Sequence, residues 1–154
     1  MDPVEHASIP TLAYLALSNE PTWGGALALT IGATFPDLDA FTREHRSYLH
    51  SLLFALPAFA LAYLSGNTHA LLFSIGWLSH IFLDFFTGVI PPVYPLSRRG
   101  WGVEITARGG PAGFGIGLRI VENYPDPRHD YELNIGGSVA LGLVTLAALI
   151  IRLH

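Results

Sequence analysis

An apolar stretch from Ala70 to Ile90 constrains the fold of this chain more than any other feature. Its polar interruptions are Ser74, Ser79, His80, Asp84 and Thr87. Because a membrane-spanning helix needs roughly 20 predominantly apolar residues, the stretch is long enough to cross a bilayer. A carboxylate at that depth is costly unless it is paired or bound to a metal, so such residues mark functional sites. The stretch therefore predicts a membrane helix that carries chemistry.

The composition favours the same class of protein. Hydrophobic residues make up 51% of the chain and charged residues 13%, about half the charged fraction of an ordinary soluble domain. A compact soluble all-α bundle is the alternative, but so few charges would cover its surface poorly. The net charge of −4 argues against nucleic-acid binding. Cysteine is absent, so any metal must be held by His, Asp or Glu.

Four other segments have helical character. Leu52–Leu64 is apolar but short for a span, and Ile135–Leu153 is free of charge until Arg152. Two shorter helices are predicted before them, at Thr11–Leu17 and Trp23–Phe35. The sequence thus predicts an all-α membrane protein, a bundle of about five helices that includes three candidate spans.

The character of the sequence changes between the fourth and fifth predicted helices. Pro and Gly are frequent from Pro91 to Leu133, and five of the eight Arg residues lie there. Trp101–Thr106 and Phe114–Val121 have alternating or β-branched character, which is a β-hairpin signal. We interpret residues 91–134 as a water-exposed Pro/Gly/Arg-rich extramembrane insert within one membrane-embedded domain that covers residues 1–154.

The distribution of Arg residues predicts an orientation. If the five helices alternate across the membrane, the loop Pro36–His50 and the insert fall on one side. Together they carry seven of the eight Arg residues, so the positive-inside rule makes that side cytoplasmic. We therefore expect a multi-pass protein whose chemistry-bearing residues face the cytoplasm.

Paired polar residues give the candidate chemistry. His80 and Asp84 are four residues apart, so both project from one helical face, one turn apart, as two ligands of a common metal would. Asp37 and Asp39 are two apart in a turn-like segment, and His45 and His50 lie on either side of the following Arg-Ser-Tyr-Leu sequence. The alternatives are a hydrogen-bonded pair that joins helices in the first case and ordinary turn chemistry in the second.

The predicted topology brings these residues to one interface. The expected metal ligands are His6, Asp37, Asp39, His45, His50, His80 and Asp84. Six or seven donors exceed the four of a closed structural zinc site and suit two ions about 3.5–4 Å apart. We expect a divalent metal, zinc first and manganese or iron as alternatives, with more than one ion. Arg46 is expected to bind a substrate phosphate or to pair with a ligand carboxylate.

The resemblance to a known family is carried by His6, Gly32–Asp39, His45–Ser51, Ser79–Asp84, Thr87 and the pair Pro91 and Pro92. In these residues the chain resembles the YdjM/YbcI-like family of inner-membrane-associated, metal-dependent hydrolases. That family is similar in turn to the zinc-dependent phospholipase C and nuclease group, whose His-x-x-x-Asp helix supplies metal ligands. The resemblance implies an inner-membrane location and phosphoester hydrolysis.

The expected function is that of a membrane-bound, metal-dependent hydrolase acting on a phosphoester such as a phospholipid at the cytoplasmic interface. Metal-activated water is the expected nucleophile, with Arg46 and Asp39 as catalytic residues. The expected partners are membrane lipid and the phosphoester substrate, without nucleic acid, and small-residue helix faces are compatible with a homo-oligomer. The alternatives are a non-catalytic membrane module with a structural metal site and a divalent-cation transporter.

Overall fold

The computed structural model describes residues 3–41, 47–107, 114–124 and 135–153. The helices in these residues are α1 (Pro3–Leu17), α2 (Trp23–Thr34), α3 (Leu52–Leu64), α4 (Thr68–Thr87) and α5 (Ile135–Leu153). A 3-10 helix, Phe35–Phe41, continues directly from α2. Strands β1 (Gly100–Ala107) and β2 (Phe114–Val121) lie between α4 and α5. The prediction of a bundle of about five helices is confirmed.

Two elements differ from the sequence predictions. The chain is not all-α, because β1 and β2 form a two-stranded antiparallel sheet in which Gly100 lies opposite Val121. The predicted hairpin is thereby confirmed. Helix α1 begins at Pro3, earlier than predicted, because the helix continues through Pro10. This extension brings His6 into a helix.

Only α4, among the described residues, is long and apolar enough to cross a membrane by length and composition. We call it the candidate span. Helix α3 and the segment Ser138–Leu153 of α5 are apolar but shorter, so one of the three predicted spans meets the length requirement within the described residues. Helix α3 is short because the chain turns at Gly66, whose φ of 67° suits glycine, and Asn67 caps α4.

The candidate span is the central helix and packs against α1, α2 and α3. Two glycines allow α2 to approach it closely. A Cβ on Gly32 would overlap the backbone carbonyl of Phe73, and a Cβ on Gly76 would overlap the carbonyl of Leu29. Such small-residue contacts let helix backbones pack tightly within a membrane. They also bring the end of α2 next to the polar residues of α4.

The interior contains several buried polar residues beside its apolar core, and the exterior carries many large apolar residues. Buried polar residues include His6, Thr11, Asp39, His50, Ser74, His80 and Asp84. Exposed large apolar residues include Leu56, Leu61, Phe82, Leu143 and Ile151, on α3, α4 and α5. Large exposed apolar surfaces mark contact with a membrane or a partner, and ionisable residues of membrane helices face the bundle interior. The structure is therefore compatible with a lipid-facing exterior around a polar centre.

Candidate metal centre

His80 is held by the close approach of α2 to α4. Its Nδ1 lies 2.7 Å from the backbone carbonyl oxygen of Ala33. A carbonyl oxygen can only accept a hydrogen bond, so Nδ1 carries the proton and donates it. The other ring nitrogen, Nε2, is thereby left as the atom that His80 presents to the centre, with its lone pair available in the neutral ring.

His50 lies in the turn before α3 and is oriented in a similar way. Its Nδ1 is 3.0 Å from Oδ2 of Asp39, which also accepts the backbone N–H of Ser47 at 3.0 Å. A carboxylate accepts hydrogen bonds, so Nδ1 donates and Nε2 faces the centre. The Nε2 atoms of His50 and His80 are 3.0 Å apart. Two nitrogen lone pairs at this distance repel unless a proton or a metal cation lies between them.

Asp84 joins the histidines of three different segments. Its Oδ1 lies 3.1 Å from Nε2 of His6, and its Oδ2 lies 3.4 Å from Nε2 of His50 and 3.7 Å from Nε2 of His80. Asp37 approaches the same group, with Oδ1 at 3.7 Å from Nε2 of His80. The two oxygens of one carboxylate thus face different imidazoles, which is the arrangement of a carboxylate that can bridge two ions.

The spacing of these atoms fits a metal ion. Two groups of three residues have ligand atoms that all lie within 4.8 Å of one another: His6, His80 and Asp84, and Asp37, His50 and His80. Zinc bonds of 2.0–2.1 Å in tetrahedral geometry separate neighbouring ligand atoms by about 3.3 Å, close to the separations that Asp84 makes with the histidines. These buried His/Asp groups could therefore hold a metal ion. One Nε2 lone pair binds one ion, so His80 can serve only one of two ions at a time.

The buried carboxylate of Asp84 favours a cation beside it, because a buried charge is costly unless it is paired. His6, His50, His80 and Asp84 are buried, while the side chain of Asp37 is 17% exposed and marks the side of the centre that solvent reaches. The His6 ring stacks on that of His80 with centroids 3.8 Å apart, and within the described part of the chain its Nδ1 has no hydrogen-bond partner. Buried polar atoms are normally satisfied, and a bound ion or water is one way in which this nitrogen would be satisfied.

A comparison with known protein families identifies the family of this chain. The model of the YdjM inner membrane protein family matches residues 1–153. The chain belongs to this family. The match includes every residue of the centre, confirms the resemblance seen in the sequence, and carries the family's description as an inner membrane protein, which names no reaction. No curated protein and no solved structure matches the chain.

The predicted ligands of this family member can now be located. The structure brings together His6, Asp37, His50, His80 and Asp84. Asp39 contacts the opposite nitrogen of His50, the position of a residue that orients a ligand. His45 and Arg46 lie outside the described residues, and their roles stay predictions.

Sequence reasoning missed two contacts that position the ligands. One is the hydrogen bond from His80 to the backbone carbonyl of Ala33, which orients the His80 ring. The sequence indicated this contact only indirectly, through the small residues that let α2 and α4 approach each other. The other is Trp77, whose Nε1 donates to the carbonyl of Leu49 at 2.6 Å and anchors the turn that carries His50 to α4. No sequence pattern predicts that a particular backbone carbonyl will accept a hydrogen bond from a side chain.

The protonation of His50 responds to its surroundings. Burial lowers the pKa of its imidazole, but hydrogen bonds and charge interactions with the carboxylates of Asp39 and Asp84 raise it. The net result is a pKa above the usual value of 6.5. His50 is therefore protonated in mildly acidic solution. Its proton then takes the place of a metal ion that the surrounding nitrogen and oxygen atoms would otherwise bind.

We expect the affinity for Zn²⁺ to rise with pH through the titration of His50. Below the raised pKa an ion must displace the proton before Nε2 can bind, so each unit by which the pH falls lowers the affinity by about tenfold. Titration calorimetry at mildly acidic and mildly alkaline pH, in buffers of different ionisation enthalpy, measures both the affinity and the protons released. An affinity that is independent of pH, without proton release, would contradict His50 as a ligand.

Proposed function

We propose that this protein is a multi-pass inner-membrane hydrolase that uses divalent metal ions. Its proposed substrate is the phosphoester of a phospholipid at the cytoplasmic face of the membrane. The observation that carries the proposal is the Asp84 carboxylate, buried on the candidate span with one oxygen towards His6 and the other towards His50 and His80. Such a cluster inside a membrane protein is costly to maintain, which favours a functional role for it.

The donor set indicates which metal would bind. It consists of imidazole nitrogens and carboxylate oxygens without thiolates, which suits zinc first and also manganese or iron. His6 and Asp84 would hold one ion, and Asp37, His50 and His80 would hold a second. A divalent ion supplies Lewis acidity to a phosphoryl oxygen and activates water for attack on phosphorus.

Residues around the centre orient the histidine rings and leave one side of the centre open to substrate. The carbonyl of Ala33 and the carboxylate of Asp39 fix the rings of His80 and His50, so that both Nε2 atoms stay directed at the centre. Asp37 is the ligand that solvent reaches, so substrate enters on its side. Arg46 follows in the sequence and is proposed as the clamp for the phosphate charge, since a guanidinium binds phosphate oxygens in pairs.

The depth of the centre supports a lipid substrate. Asp84 precedes the end of α4 at Thr87 by three residues, which is about 4.5 Å along a helix axis. The centre therefore lies near one end of the candidate span, at the level of lipid headgroups rather than at the middle of a bilayer. Seven of the eight Arg residues flank it in sequence, which supports a cytoplasmic location for that end.

One observation favours a structural metal site instead. His6, His50, His80 and Asp84 are all buried, as ligands of a closed site usually are. An enzyme must keep a coordination position for water, whereas a structural site closes every position. The partial exposure of Asp37 is the feature that distinguishes this centre from a closed structural site. A measurement of activity therefore decides between a hydrolase and a structural metal site.

We expect purified protein in phospholipid vesicles to release phosphorylated headgroups in a metal-dependent reaction. Removing the metal with EDTA should lower the rate by about a hundredfold or more, and adding Zn²⁺ or Mn²⁺ back should restore it, since the Lewis acid provides several kcal/mol of transition-state stabilisation. Headgroup release is followed by mass spectrometry. The matched control is Glu122→Gln, which removes an exposed carboxylate far along the chain from the centre. Metal-loaded protein that releases no headgroup from any phospholipid would favour the structural site.

A further inference from the structure

The hairpin presents a row of apolar side chains to its surroundings. In β2 the side chains of Ile116, Leu118 and Ile120 are 69%, 58% and 47% exposed. Alternate residues of a strand point to the same face, so the three form one row. Gly117 and Arg119 occupy the opposite face. Three branched aliphatic residues in a row on a two-stranded sheet are unfavourable in water, because an isolated hairpin has no core in which to bury them.

The row is an extension of the apolar surface of the helices. Trp101 lies directly opposite Ile120 in the sheet, so both side chains are on the same face. The Trp101 side chain also forms one wall of a groove of about 710 Å³, whose other walls include Ile81, Phe82 and Phe85 of the candidate span. An apolar surface thus runs from α4 across Trp101 and along β2.

The hairpin is fixed at the end of the candidate span. Ile90 and Trp101 exchange backbone hydrogen bonds of 2.9 and 2.8 Å, three residues after α4 ends. Gly102 packs so closely on Gly88 that a Cβ would overlap its carbonyl oxygen. The hairpin therefore leaves the helical bundle where the span meets the membrane surface. Tryptophan is enriched at that level in membrane proteins.

The charges beside the row fit lipid headgroups. The described charged side chains of this region are Arg98, Arg99, Arg119 and Glu122. Arg99 pairs with Glu122 at 3.1 Å, and Arg98 lies 5.9 Å from the centre of the Tyr94 ring. Arg119 and the apolar row occupy opposite faces of β2, the pattern of segments that lie in the plane of an anionic membrane surface.

We propose that the hairpin is a membrane-contacting element that lies along the bilayer surface. Ile116, Leu118 and Ile120 enter the boundary between headgroups and acyl chains, and Arg119 faces the headgroups and water. This differs from the water-exposed insert expected from the sequence. The proposal stands on exposure, register and charge in the hairpin, and it does not depend on the chemistry of the metal centre.

The absence of cysteine makes the proposal directly testable, because a single introduced cysteine labels one position. The variants are Leu118→Cys and Ile116→Cys on the apolar row, each carrying the fluorophore NBD, with Arg119→Cys as the matched control on the opposite face. Phe82→Cys, an exposed position of the candidate span, is the reference for lipid contact. The full-length protein is placed in vesicles of phosphatidylethanolamine and phosphatidylglycerol.

The expected result is a blue-shifted NBD emission at the two row positions, with loss of fluorescence when the lipids carry brominated acyl chains and none with aqueous iodide. The label at Arg119 should respond to iodide. Row labels that iodide quenches as strongly as the label at Arg119 would overturn the proposal, because the row would then face water. Row labels shielded from both quenchers would also overturn it, since protein would then cover the row. Using two row positions guards against one variant that fails to fold.

Discussion

The Asp84→Asn variant is expected to copurify with less than about a tenth of the metal that the wild-type protein holds. Asparagine preserves the size of the side chain, so the change removes the charge and one metal-binding oxygen without opening a cavity. Because one oxygen of Asp84 faces His6 and the other faces His50 and His80, this single change removes a negative charge that lies beside all three imidazoles. Loss of an orienting residue alone typically costs 10–100-fold in metal affinity, so loss of a shared ligand should cost at least that. Elemental analysis of detergent-purified protein measures the effect.

A second variant separates one ion from two. His6 contacts Oδ1 of Asp84 and belongs only to the first group of ligands, whereas His50 belongs to the second. His6→Ala should therefore lower the number of ions bound without abolishing binding. Glu122→Gln is the control for loss of a carboxylate on the surface and should keep the full metal content. Asp84→Asn protein that retains wild-type metal would show that this carboxylate is not a ligand.

Asp39→Asn is expected to weaken metal binding by about 10–100-fold while leaving the number of bound ions unchanged. Asp39 accepts hydrogen bonds from Nδ1 of His50 and from the backbone N–H of Ser47, and its charge makes the opposite nitrogen of His50 a better donor to a metal. Asparagine retains an accepting oxygen but loses the charge. Competition with a chromogenic chelator measures affinity and stoichiometry in one titration.

The same titration distinguishes two roles for Asp39. The sequence predicted it as a ligand and a catalytic residue, and the geometry favours a positioning role behind His50. A lower number of bound ions in Asp39→Asn would identify it as a ligand, whereas weaker binding of the same number would identify it as the residue that orients His50. Asp39→Ala, which also removes the accepting oxygen, should bind metal more weakly still.

The parts of the candidate site that were predictable follow from short-range geometry. The spacing of His80 and Asp84 places them on one helical face whatever surrounds the helix, and the structure confirms that His50 and Asp37 lie beside them. The role of Asp39 was harder to predict from the sequence. Its hydrogen bond with Nδ1 of His50 depends on how the turn after α2 folds back. Sequence alone does not give that distance.

The fold was predictable to a similar degree. Apolar runs located the five helices, and alternation located the hairpin. Helix α1 was predicted too short because the apolar run begins only at Thr11, whereas the helix begins at Pro3 and continues through Pro10. Of the three predicted spans, α4 is the one that meets the length requirement in the described residues, and α3 is shorter because it ends at the Gly66 turn. The exposure of the β2 row depends on what packs on the sheet, which no local pattern encodes.

The central claim is that the buried imidazoles and carboxylates around Asp84 bind divalent metal ions. X-ray absorption spectroscopy of the metal in purified wild-type protein tests it most directly. The predicted spectrum shows a shell of nitrogen and oxygen neighbours at about 2.0–2.1 Å, with the outer-shell scattering of imidazole and a metal neighbour at about 3.5–4 Å. Protein that is folded yet binds no stoichiometric metal, or metal whose spectrum lacks imidazole scattering, would contradict the claim.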